Sequence, residues 1–177
     1  MNDNNNARSS LFLMELIIAV FFFSLAAAVC IRLFVSAHIT AQNTTNLSHA
    51  TIWSQNLSEA FYASKGDMEK ISQIYPNAAI TPENIILFFD SEWNLADNSA
   101  SDASYEAILT ISKRKASTVY SDVTAYRTAY KGDAYVGDIA IIDIRKTSEV
   151  VSAIPNNPND IIFSCSVDYY DTGKEAK

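Results

Sequence analysis

A chain of 177 residues has room for one ordinary domain and an accessory segment, which excludes a two-domain architecture. Twenty acidic against thirteen basic residues leave a formal charge of −7, the wrong sign for gripping phosphates, so nucleic acid is not an expected partner. Two cysteines give no disulfide framework, and four glycines give no phosphate-cradling loop.

The first ten residues, Met1 to Ser10, are polar and asparagine-rich, with Arg8 the only basic side chain. Leu11 to Ile31 is then apolar apart from Ser24 and a single acid, Glu15, and Arg32 closes the run. As a helix this stretch rises about 31 Å, the thickness of a bilayer's hydrocarbon core, so a transmembrane segment is expected over 11–32. Three readings of it are open. One is a plain anchor. Another is a cleaved signal peptide, for which Ala26-Ala27-Ala28 supplies small residues before a new N-terminus at Val29. The third is an anchor whose N-terminal part also carries a function, and Glu15 speaks for it. An acidic side chain in a membrane span costs about 2.5–3.5 kcal/mol on insertion scales, so it is read as functional by default.

The run Arg8-Ser9-Ser10-Leu11-Phe12-Leu13-Met14-Glu15-Leu16 resembles the prepilin-peptidase motif of type IV pilins and type II secretion pseudopilins. In that family a short polar leader ends in a small residue, usually glycine, and a hydrophobic residue begins the mature chain. A glutamate follows as its fifth residue. Ser10 replaces the usual glycine here, and Leu11 stands where phenylalanine or methionine is commoner. The resemblance implies a leader over 1–10, cleavage by a prepilin peptidase between Ser10 and Leu11, and Glu15 at the glutamate position. A carboxylate there would pair with the freed amine of a neighbouring subunit and fix their stagger.

Beyond the span, no proline or glycine occurs before Gly66, so the helix is expected to continue over 33–65 as an amphipathic segment. Ala50, Trp53, Leu57, Ala60, Phe61 and Ser64 recur at steps of three and four and mark one buried face. Ser36 to Asn46, rich in Thr, Asn and Gln, is a poor helix former where a local break is expected to be tolerated. Gly66 is the expected C-cap. A globular head over 66–177 follows, opening with a short helix over Asp67–Tyr75 before Pro76. Four strands are expected over Ile85–Asp90, Tyr105–Ser112, Tyr135–Arg145 and Ile161–Tyr169, with loops at Asp97–Asp102 and Ile154–Asp160. Ser117–Asp133 reads either as a strand or as a long loop. The expected fold is therefore α+β: a long N-terminal helix packed on an antiparallel sheet of about four strands. Long helix, short helix, then strands is also the order of the pilin fold.

Catalytic patterns are thin. His38 and His49, eleven residues apart on one helix, lie about 16 Å apart along the axis and cannot share a metal within one chain. They read as helix histidines without a role. Ser164-Cys165-Ser166 has no histidine in the head to act as its base, and Asp133, Asp138 and Asp143 do not match a calcium loop. The sequons at Asn43, Asn46 and Asn56 read as chance in a polar segment. No enzyme activity, cofactor or metal is expected. The expected function is that of a structural subunit of a pilus or secretion pseudopilus. It would sit in the cell membrane with its head outside the cytoplasm and associate with copies of itself or related subunits in a filament. The alternative is a single-pass, membrane-anchored binding or sensor domain. Arg8 and Arg32 flank the span too symmetrically to orient it.

Overall fold

The computed structural model describes residues 3–96, 103–121, 130–147 and 152–171, and of the side chains of 3–10, 146 and 147 nothing is said. The expected loop at Asp97–Asp102 lies outside the described residues. Two compact units divide the chain, Met1–Thr45 and Asn46–Lys177.

Helix α1 is continuous over Asp3–Ser64. The break allowed for at Ser36–Asn46 is absent, and the hydroxyls of that stretch explain how the helix persists. Thr40, Thr44 and Thr45 donate to the carbonyls of Ser36, Thr40 and Ala41 at 2.9–3.1 Å, so each hydroxyl is satisfied inside the helix. Within the second unit, Ala50, Leu57, Ala60, Phe61 and Ser64 are buried and Trp53 is half-buried, the face that the periodicity marks. Helix α1 ends in a Schellman motif. Gly66 N–H donates to Phe61 O at 2.9 Å and Lys65 N–H to Tyr62 O at 3.2 Å. The left-handed residue at the first position past the cap is thus Lys65, φ 57°, with Gly66 next at φ 73°. A Cβ on Gly66 would lie 2.7 Å from Tyr135 Cβ, so the glycine serves close approach as well as conformation. Because a side chain at φ 57° costs about 1–2 kcal/mol, Lys65→Gly should raise stability by about 1 kcal/mol after the added freedom of the unfolded chain is counted. Thermal melts of the two proteins would test this; an unchanged or lowered midpoint would refute it.

Helix α2, Met68–Ile74, is capped by Asp67, whose carboxylate accepts from the backbone N–H of Glu69 and Lys70. The sheet has five antiparallel strands in the order β1-β2-β3-β4-β5. They are β1 Ala79–Ile80, β2 Asn84–Phe89, β3 Tyr105–Lys115, β4 Asp133–Asp143 and β5 Ile161–Asp171. The strand beyond the four expected is β1, whose two residues are too few to show a period of two. Strand β3 runs on to Lys115 because Lys113–Lys115 pair with Asp133–Tyr135, and Lys113 Nζ lies 2.9 Å from Asp133 Oδ2. Strand β4 stops at Asp143, earlier than expected, since Ile144–Thr147 forms a helical turn, α4, and Ile144 N–H donates to Ser104 O.

Of the ambiguous Ser117–Asp133 segment, residues 122–129 lie outside the described residues. Its described beginning is a helical turn, α3, Ala116–Val119. The rings of Tyr120 and Tyr130 pack against Tyr170, and the Tyr120 hydroxyl donates to Asp168, so both ends of the segment are tied to β5.

One sheet face meets α1. Ile85, Leu87 and Phe89 of β2, Ala107 and Leu109 of β3, and Ile139 and Ile141 of β4 pack there against Leu57, Ala60 and Phe61. Gly137 permits the approach, since a Cβ there would lie 3.0 Å from both Phe61 Cδ2 and Val167 Cγ2. The opposite face carries a smaller cluster of Ile86, Phe88, Ile108, Ile142 and Ile144, with Ile154 packed beside it. Its central strands are therefore apolar on both faces, which is why Ile85–Phe89 is buried throughout.

Candidate functional site

Two places carry chemistry that was singled out in the sequence or organised by the fold. The first is the N-terminal helix. The described residues contain one helix long and apolar enough to cross a membrane. Ser10 and Leu11 are consecutive residues within α1, and Leu11 is 67% exposed. Glu15 follows Leu11 by four residues, one helical turn or about 6 Å along the axis, and is itself exposed. Leu16, Ile17, Ile18, Phe12 and Leu13 surround it with exposed apolar surface. The one other polar side chain between Leu11 and Cys30, Ser24, donates its hydroxyl to Val20 O at 2.8 Å. Glu15 is thus the group on this stretch whose charge calls for a partner.

The second place is a stack of four side chains in the head, and it changes the reading of His49. The His49 ring lies parallel to Trp93, centroids 5.4 Å apart. Trp93 in turn stacks on Tyr105 at 4.0 Å, and the Arg145 guanidinium lies 4.5 Å from the Tyr105 centroid. A chain of hydrogen bonds runs beside the rings. Arg145 Nη2 donates to Tyr105 Oη at 2.5 Å, Tyr105 O–H donates to Asn46 Oδ1 at 3.0 Å, and Trp93 Nε1–H donates to the same oxygen at 3.3 Å. Asn46, read from sequence as a chance sequon, is therefore engaged inside the head. Asp143 takes Arg145 Nε at 2.9 Å, and this pairing raises the guanidinium further above its already high value. His38 takes no part in the stack; its Nε2 lies 3.1 Å from Gln42 Nε2, one turn along α1.

A strained turn presents Trp93. Its φ is 66°, uncommon for a bulky side chain and worth about 1–3 kcal/mol of strain. The Asp90 carboxylate holds the turn, accepting from Glu92 N–H at 2.8 Å, Asn94 N–H at 2.9 Å and Asn94 Nδ2 at 3.0 Å. These bonds, the Asn94 side chain's first, keep the Asp90 carboxyl below the ordinary carboxylate range. The charged form is the one the fold favours. Its contribution is complete above the unfolded value of about 3.9 and is lost as pH falls through the lower folded value. Thermal melts below about pH 4 should therefore show an acid-dependent loss that is smaller in Asp90→Asn. Identical pH profiles for the two proteins would remove Asp90 from this role.

None of the six stacked or bonded residues was assigned a role from sequence. They come from α1, the Asp90–Asn94 turn, β3, β4 and α4, and their spacing along the chain follows no period. The one local signal was an aspartate four residues before an asparagine around a tryptophan, the composition of a tight turn. Among the described residues no group of three or more His, Cys, Asp or Glu is placed to hold a metal. No protein-family model matches the chain, and neither a curated protein nor a solved structure matches it.

Proposed function

We infer that the chain is a pilin-like structural subunit. Leu11–Ile31 anchors it in the cell membrane, and the Asn46–Lys177 unit stands outside the cytoplasm. A prepilin peptidase cuts between Ser10 and Leu11. The trimmed helix then leaves the bilayer and packs against copies of itself or related subunits in a filament. Glu15 sets the register by pairing with the amine freed at Leu11 of a neighbour, which offsets the desolvation of both charges.

The observation that carries this reading is the isolation of Glu15. It is the single acidic or basic side chain in the apolar stretch Leu11–Ile31 of a continuous helix, one turn beyond the proposed cut. A simple anchor gains nothing from that residue and bears its insertion cost. The C-terminal part of the same helix lies in the core of the Asn46–Lys177 unit.

The mass of the native N-terminus tests the first step. The expected mature chain begins at Leu11, with or without a methyl group on its amine. A chain beginning at Met1 would mean an uncut anchor, and one beginning at Val29 a signal peptide; either result would overturn the assignment.

A further inference from the structure

We propose that the head carries a docking groove for a basic side chain, lysine or arginine, presented by a segment of a partner protein. The groove lies on the sheet face turned away from α1 and encloses about 650 Å³. Its floor is a single row of residues set side by side across four strands by their register: Asn84, Thr110, Asp138 and Ser166. Glu83 lies at one end of that row, and Ile154, Pro155 and Ile161 form an apolar lip.

Charge and shape point to the same occupant. Glu83 and Asp138 both line the groove, and no lysine, arginine or histidine does so among the described residues. Neither carboxylate has an ion-pair partner among the described residues. Ser166 Oγ donates to Asp138 Oδ1 at 2.6 Å and fixes that carboxylate's orientation on the floor. Asn84 Nδ2 donates to Ser152 O at 2.8 Å, which fastens the chain leading into the lip to the floor. A cleft lined by one sign of charge attracts an approaching counter-charge. Lysine and arginine have the complementary build, with a methylene stem to lie along Ile154, Pro155 and Ile161 and a charged head to reach the carboxylates.

The partner is another protein rather than a second copy of this chain. A basic segment of another protein gains from both the groove and the overall field of a chain carrying −7. This inference does not rest on the filament reading, because the groove's floor and lip belong to the Asn46–Lys177 unit alone.

The test uses the full chain in lipid nanodiscs, titrated with two labelled, end-capped pentapeptides by fluorescence anisotropy. One has lysine at its centre; the other has norleucine, which keeps the stem and removes the charge. The lysine peptide should bind and weaken as salt is raised, and the norleucine peptide should bind at least about tenfold less tightly. Glu83→Gln, at an exposed position, and Asp138→Asn, which keeps an acceptor for Ser166, should each weaken the lysine peptide about threefold and together about tenfold. Equal binding of both peptides, binding insensitive to the double variant, or no binding at millimolar peptide would each overturn the proposal.

Discussion

Glu15→Ala is expected to leave the chain in the membrane and abolish filament assembly. The first half follows from transfer energetics. Removing a carboxylate from an apolar span makes insertion easier by about 2.5–3.5 kcal/mol on insertion scales. The second half follows from what the carboxylate would do among packed helices. A buried amine left without its partner carries an uncompensated charge, and breaking such a pair costs about 3–5 kcal/mol. Repeated at every subunit, a loss of that size prevents growth. The measurement is the ratio of sheared, pelletable protein to membrane protein in variant and parent. Glu15→Asp should assemble poorly but detectably, because it keeps the charge and shortens the reach. Filaments of normal length and yield from Glu15→Ala would end the register role, while its continued recovery in the membrane fraction excludes misfolding as the cause.

Trp93→Ala is expected to be the most damaging single change in the head. The side chain is 6% exposed and lies between His49 and Tyr105. Truncating a buried tryptophan costs about 3–5 kcal/mol through lost transfer energy and the cavity left behind. Relief of the φ 66° conformation does not recover this, because alanine also has a Cβ. Trp93→Phe isolates one component: it keeps a ring in the stack and removes the Nε1–H donor to Asn46, for an expected loss of about 1–2 kcal/mol. Asn46→Ala should cost more than that exchange, since it deprives both Trp93 Nε1 and Tyr105 Oη of their shared acceptor. Urea unfolding of the full chain in detergent, followed by tryptophan and tyrosine signals, gives the order. If Trp93→Ala costs less than about 1 kcal/mol, the stack is decoration and the head is held by the sheet core alone.

How much of this was legible in the sequence depends on distance along the chain. The buried face of α1 was readable because Ala50, Leu57, Ala60 and Phe61 obey one helical period, and a period is a local property. Four of the strands were readable for the same reason, within a few residues at each end. Strand β1 was not, because two residues have no period. Lys65 was misjudged in favour of Gly66 because composition says which residue tolerates a left-handed conformation, not which one adopts it. The continuation of α1 over 33–65 was readable from the lack of proline and glycine; the break allowed for at Ser36–Asn46 does not occur, and there the exposed hydroxyls bond back onto the helix. Glu15 stood out because it violates its surroundings. The stack and the groove could not stand out. His49 meets Trp93 across 44 positions and Asp138 meets Ser166 across 28, and no local rule links such pairs.

The inward-turned hydroxyls of α1 also bear on which solvent the helix can tolerate. Ser24, Thr40, Thr44, Thr45 and Thr51 each give their proton to a carbonyl one turn back. What a threonine so engaged then offers the outside is largely its methyl group. Hydroxyls already bonded lose little when water is replaced by lipid tails or by another protein surface, for the donor has no aqueous partner to give up. These hydroxyls, unlike the amides of Gln42 and Asn43 among them, therefore behave as a nearly neutral coating. Whatever medium surrounds it, the free energy of moving these residues from one to another stays small.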